Sequence, residues 1–155
     1  MALSVNHYVF RSEWRLDASP DEVYAALLDV AAYPQWWPEV RSARELGEHS
    51  GELRCRSMLP YDLVFVIDRE VEDAARRVLR GRLTGDLIGV SQWTVTADAD
   101  GALAVFDEDV SVGKAAVRAA GLLARPALRF NHDKMMRSGE AGLRRHLAAR
   151  PVTGG

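Results

Sequence analysis

Residues 127–149 read ALRFNHDKMMRSGEAGLRRHLAA, and the spacing of the apolar side chains in this stretch decides the architecture. Leu128, His132, Met135, Gly139, Leu143 and Leu147 recur every three or four residues, which is the period of one helix face. The pattern predicts a helix of about 23 residues, roughly 34 Å long at 1.5 Å per residue. Gly139 and Gly142 fall in mid-run, where neither can cap an end. Glycines there suit a helix that must lie close to a neighbour, most simply a sheet. Just upstream, Pro126 is expected to break or kink the chain and so to divide this helix from a shorter helical run over Ala115–Leu123.

Towards the N-terminus the period falls to two. From His7 to Ala18, Tyr8, Phe10, Ser12, Trp14 and Leu16 share one face, while Val9, Arg11, Glu13, Arg15 and Asp17 share the other. That is a strand with one buried side. Ser19-Pro20-Asp21-Glu22 then starts a helix: Ser19 can cap it, Pro20 suits its first position and Glu22 can close a capping box. Val23, Tyr24, Leu27 and Leu28 form its apolar stripe. Tyr33-Pro34-Gln35-Trp36-Trp37-Pro38 carries two prolines and leaves room for only a short helical turn.

From Val40 to Val112, turn signals at Ser50-Gly51, Leu59-Pro60, Asp73-Ala74, Gly85-Asp86 and Asp100-Gly101 separate six strand-like runs. In one run Tyr61, Leu63, Phe65, Ile67 and Val71 share a face; in another Ser91, Trp93 and Val95 do. Strands joined by short turns make an antiparallel meander. The expected fold class is α+β: a seven-stranded, curved antiparallel sheet wrapped around a long C-terminal helix, with two short helices between strands 1 and 2. One helix cannot fill the hollow of such a sheet, and the remaining space has the form of an apolar small-molecule pocket.

Composition narrows the partners. The chain has 155 residues, 48% hydrophobic and 27% charged, with a net charge of −2. No basic field exists to draw nucleic acid or anionic lipid. Cys55 is the single cysteine, so neither an internal disulfide nor a cysteine-rich metal site is possible. No apolar run approaches the roughly 20 residues of a membrane span, and the N-terminus lacks a signal-peptide pattern. The expectation is a cytoplasmic protein whose partner is a hydrophobic small molecule, with no metal and no cofactor.

Glu108 is the anomaly of the last strand. It falls in register with Ala104, Phe106, Val110 and Val112, on the inward side, where a carboxyl is costly and its pKa tends to rise. A raised pKa in a cleft suits a general acid or base; a strand-end or bulge position that leaves it wet, or pairing with an arginine, is the structural alternative. His132 lies on the inward stripe of the long helix, as a core histidine bonded to the sheet or as a proton donor. Glu108 and His132 are the catalytic candidates. Asn131 and Asp133 flank His132, but adjacent helix residues point to different faces, so no triad forms.

Phe10, Ser12 and Trp14 are candidate lining residues on the first strand, Ser12 as a hydroxyl among aromatics. Trp37 is a candidate for the cavity mouth, the simpler reading being that one of Trp36 and Trp37 packs on the core while the other covers its edge. Phe65, Trp93, Phe106, Met135 and Met136 complete the expected lining. Arg54, Arg56, Arg80 and Arg82 suit a solvent face with acidic partners across strands, unless register turns Arg56 inward to neutralise a ligand carboxylate or enolate. Cys55 reads as inert filling. Gly85-Asp86-Leu87-Ile88-Gly89 lacks the lysine and helix of a phosphate-binding loop and reads as a hairpin at the cavity rim.

Four segments together resemble the START-like, helix-grip superfamily (SRPBCC), in its bacterial polyketide cyclase/dehydrase branch. They are Ala18-Ser19-Pro20-Asp21-Glu22-Val23-Tyr24, Asp29 through Tyr33-Pro34-Gln35-Trp36-Trp37-Pro38, Leu83-Thr84-Gly85-Asp86-Leu87-Ile88-Gly89 leading to Trp93, and Asn131-His132-Asp133 through Gly142-Leu143. The resemblance implies a single START-like ligand-binding domain over residues 7–149, followed by a frayed tail at 150–155. It also implies a cavity for lipids, polyketides, quinones or similar guests. Some members cyclise and aromatise polyketides; others carry or sequester a ligand, including antibiotic-pathway products. Three functions follow as expectations: a binder of a polyketide- or lipid-like molecule, a polyketide aromatase/cyclase, or a non-catalytic interaction module. In the second, Glu108 or His132 would move protons while Ser12 or Arg56 held an enolate oxygen.

Overall fold

The structure, a computed structural model, describes residues 7–57, 61–113 and 124–149. The turn expected at Leu59-Pro60, the helix expected over Ala115–Leu123 and the tail lie outside the described residues. Strand β1 (His7–Leu16) leads to helix α1 (Pro20–Leu28), a 3₁₀ turn (Val30–Ala32) and the short helix α2 (Tyr33–Trp36). Six strands follow: β2 (Val40–Gly47), β3 (Ser50–Cys55), β4 (Leu63–Asp73), β5 (Val78–Gly85), β6 (Leu87–Asp98) and β7 (Gly101–Val112). The long helix α3 spans Ala124–Ala149. All neighbouring strands are antiparallel, in the order β1-β7-β6-β5-β4-β3-β2. This is the helix-grip architecture expected from the sequence, with two short helices between the first two strands.

Local chemistry sets the boundaries. The Ser19 hydroxyl accepts the Glu22 amide at 3.2 Å, and the Glu22 carboxylate accepts the Ser19 amide at 3.3 Å, the reciprocal capping box. The β5–β6 turn rests on Gly85, whose φ of +110° puts a Cβ against the β4 backbone; the Asp86 carboxylate there accepts the Val64 amide at 2.9 Å.

Two expectations change. Ser50 and Gly51 open β3, and the turn is the two-residue loop Glu48–His49, bracketed by the Gly47↔Ser50 pair. Pro126 lies in the first turn of α3, where a missing N–H deprives no intrahelical acceptor; the helical run it was expected to divide from α3 lies outside the described residues. Val71 leaves the inner face: the β4–β5 register shifts between Arg69 and Val71, and a bulge of one residue reverses the alternation beyond it. Val71 is accordingly exposed, while Arg69 keeps the inward phase of Phe65 and Ile67.

Four tryptophans fasten the helix to the sheet. Trp14 packs at ring-centroid distances of 4.7 Å from Trp93, 5.2 Å from Trp37 and 6.3 Å from Trp36. Trp36 and Trp37 are both buried, so neither merely covers an edge. The Trp37 indole N–H donates to the Met135 carbonyl at 2.9 Å. The two mid-helix glycines meet this cluster, and α2 more than the sheet. A Cβ at Gly139 would lie 2.5–2.8 Å from the Trp37 and Trp14 rings, and one at Gly142 would land on the Trp36 carbonyl oxygen.

In an open helix Gly→Ala gains up to about 1 kcal/mol; against a fixed backbone oxygen, overpacking costs about 1–3 kcal/mol. Gly142→Ala is therefore expected to lower the urea midpoint of unfolding by a net cost on the order of 1 kcal/mol or more. Gly47→Ala, where a Cβ meets nothing within 4 Å, serves as the control with near wild-type stability. An unchanged midpoint in Gly142→Ala would show that the helix does not rest on α2.

Candidate functional site

The concave face of the sheet and the N-terminal half of α3 enclose a cavity of about 130 Å³. Its wall is mostly apolar. Phe10, Phe65, Trp93 and Phe106 reach it from the sheet, Trp37 from the α2 segment, and Met135 and Met136 from α3. Glu108 and His132 also face it.

Three other candidates do not. Trp14 is enclosed by the other tryptophans and lies behind the cavity wall. Ser12 sits opposite Phe106, whose ring projects into the cavity while the short hydroxyl stops behind it. Arg56 is on the outer face because Cys55, its neighbour, is the inward, buried residue; its guanidinium lies 4.0 Å from Asp62. Arg54, Arg80 and Arg82 likewise have acidic partners, Asp62 for the first and Glu70 for the other two.

Register assembles what sequence alone does not. Phe10 pairs with Glu108, Glu108 with Ser91, Ser91 with Gly81 and Gly81 with Arg69. All five line the cavity, so one row across β1, β7, β6, β5 and β4 runs aromatic, acid, hydroxyl, glycine, guanidinium. Neither Ser91 nor Arg69 stood out in the sequence. The available signal for Arg69 was an arginine in the inward phase of an otherwise apolar strand. Its guanidinium turns to the wall, donating to the Leu28 carbonyl at 3.2 Å and to Glu72 at 3.0 Å. Asn131 was read as pointing away from the His132 face; it is buried and lines the same cavity, because the hollow is wide enough to span two adjacent helix positions.

Glu108 and His132 meet from opposite walls, with His132 Nε2 3.6 Å from Glu108 Oε1. The imidazole stacks on Phe10 at a centroid distance of 3.8 Å and an angle of 11°. Its Nδ1 is buried without a hydrogen-bond partner. Burial pushes the Glu108 carboxyl up to about 8 and, as the largest effect on it, the His132 imidazole down to about 4. Near neutrality the pair is thus a protonated acid beside an unprotonated base rather than an ion pair. Burial also raises the Cys55 thiol to about 12, which leaves it an inert thiol. Among the described residues no group of three or more His, Cys, Asp or Glu could hold a metal ion, and no helix is long and apolar enough to cross a membrane.

Residues 8–148 match the family described as polyketide cyclase/dehydrase and lipid transport. The chain belongs to that family. Within the polyketide cyclase/dehydrase fold, similar solved structures include the Zhui aromatase/cyclase from Streptomyces sp. R1128, at 20% identity and a TM-score of 0.77, covering 96% of this chain and 99% of that one. A START superfamily protein from Mycobacterium smegmatis is similar at 17% identity and a TM-score of 0.72, covering 89% of this chain and 95% of that one. The di-domain ARO/CYC BexL from the BE-7585A biosynthetic pathway is similar at 20% identity and a TM-score of 0.70, covering 94% of this chain and 52% of that one. At these identities the likeness shows the fold. A comparison with curated proteins finds no match.

The two shifted groups leave a signature in stability. Glu108 stays protonated in the folded chain up to about pH 8, so its contribution is complete below its ordinary value near 4.5 and is lost as pH rises towards 8. His132 acts oppositely: its contribution is complete above 6.5 and is lost as pH falls through about 4. The slopes offset between pH 4.5 and 6.5, leaving Glu108 alone from 6.5 to 8. Stability is expected to fall over that upper window by on the order of 1 kcal/mol per pH unit, and Glu108→Gln is expected to flatten it. Parallel declines in both proteins, measured by urea unfolding at stepped pH, would show that Glu108 ionises freely.

Proposed function

We propose that this protein binds a hydrophobic, polyketide- or lipid-like small molecule in the sheet–helix cavity, in the biosynthesis or sequestration of a secondary metabolite. The observation that carries this reading is the apolar hollow itself, walled by aromatic and methionine side chains, with its acid, base and hydroxyl gathered at one place. Removing ligand surface from water at about 25 cal/mol per Å² supplies the affinity; the polar groups supply orientation.

A second reading, polyketide aromatase/cyclase, is favoured by one feature: a protonated acid and a free base 3.6 Å apart. In the dehydration that follows ring closure, His132 would take the proton from the carbon beside a ketone as Glu108 gave its proton to the departing hydroxyl. A C–H and a C–O bond break, a C=C bond forms and water leaves. Passing the proton from His132 back to Glu108 restores both groups.

A thermal-shift panel of aromatic ketones, phenols, polyketide extracts and fatty acids tests the first reading. Ligands that bind only the folded state should raise Tm; no rise across the panel would remove the binding function. For the second, incubation with a poly-β-keto thioester should give a product distribution that depends on the protein. Glu108→Gln and His132→Ala should lower turnover by about 10²–10⁴-fold while binding survives. A distribution identical with and without protein would eliminate catalysis.

A further inference from the structure

The cavity's charge and size together select among the guests that the binding reading allows. Among the described residues two arginines border it, and both guanidiniums are engaged elsewhere. Arg69 donates to the Leu28 carbonyl and to Glu72, and Arg80 lies 3.5 Å from Glu70. Arg129 sits over Phe10, 5.6 Å from its centroid, and does not line the cavity. Among the described residues, a ligand carboxylate would therefore meet no unengaged guanidinium in the cavity wall and would sit next to an acid that already avoids ionising. Burying an unpaired charge there is prohibitive.

What the site does offer is a proton to donate. The protonated Glu108 carboxyl and the Ser91 hydroxyl are adjacent in the cross-strand row, and both can donate to a ligand oxygen. The buried Nδ1 of His132 is without a hydrogen-bond partner. Around these groups stand the faces of Phe10, Trp93 and Phe106. The volume of about 130 Å³ is close to that of a dry engineered cavity of about 150 Å³ that holds a benzene molecule. A three-ring guest or an extended acyl chain exceeds it unless the walls move.

We propose that the ligand is an uncharged aromatic ketone or phenol of about one ring, seated with its oxygen at Glu108, and that carboxylates are rejected. This rests on the cavity being the binding site and narrows what binds there.

Calorimetric titration with matched probes separates the two ideas. Acetophenone, benzoate, decanoate and the three-ring ketone anthrone differ in charge or size around a shared apolar character. Acetophenone is expected to bind at least about tenfold more tightly than benzoate or decanoate, and more tightly than anthrone. Glu108→Gln, which keeps a donor, should hold acetophenone within a few-fold. Glu108→Leu should weaken acetophenone by about tenfold and leave toluene unchanged. Benzoate or decanoate binding as well as acetophenone would overturn the charge selection, and anthrone binding as well would overturn the size selection; in either case the cavity would still be a binding site. Silence from every probe, together with a flat thermal-shift panel, would remove the site itself.

Discussion

Everything in this molecule depends on how closely α3 can approach the tryptophan cluster. At Gly139 and Gly142 the helix backbone comes against the Trp37 and Trp14 rings and the Trp36 carbonyl, an approach that a side chain at either position would block. The indole N–H of Trp37 fixes the contact by bonding to the Met135 carbonyl. The helix is thus fastened at its middle. A curved sheet and a straight helix cannot stay in contact over 26 residues. Towards its N-terminal end α3 stands off the sheet, and the side chains from Leu128 to Met136 face a hollow instead of a packed layer. The cavity is the geometric counterpart of the tight contact beside it.

Much of this was legible because it depends on short-range periodicity. The alternation of β1, the capping box at Ser19 and the helical stripe of α3 are each settled within a few residues. The inward position of Glu108 follows from the same alternation, since β7 runs without a bulge along β6. Beyond those elements, local pattern gives way to register. Val71 shares a parity with Phe65 and Ile67 in sequence, yet a single extra residue after Arg69 puts it outside. Arg56 was left open for want of the same information, and the burial of Cys55 decides it. Ser12 shows the other limit: it has the inward parity, but reach into a cavity depends on side-chain length as well as on face.

The transverse row is the clearest case of information that sequence order hides. Phe10, Arg69, Gly81, Ser91 and Glu108 are scattered over nearly a hundred residues and become neighbours only through four strand pairings. Their chemistry is then coupled. Glu108 lies between an aromatic ring and a hydroxyl, and that same ring stacks on His132. Phe10 therefore touches both members of the acid–base pair, one through the sheet and one through the helix, and screens both from water.

That screening explains why the pair is neutral. In water a carboxylic acid and an imidazole exchange a proton to form ions, because solvation of the two charges outweighs the cost of separating them. Here neither charge has a solvent shell, the positive Arg129 nearby further disfavours a charged His132, and the gap of 3.6 Å is too long for a good hydrogen bond. The proton stays on Glu108 and the Nδ1 of His132 stays unpartnered. His132 is therefore less satisfied than it would be in water, and its unmade bond carries a penalty. A guest with a polar atom that pairs with this acid–base pair recovers what folding left unmade, which gives an apolar hollow a reason to prefer a molecule with an oxygen in one particular place.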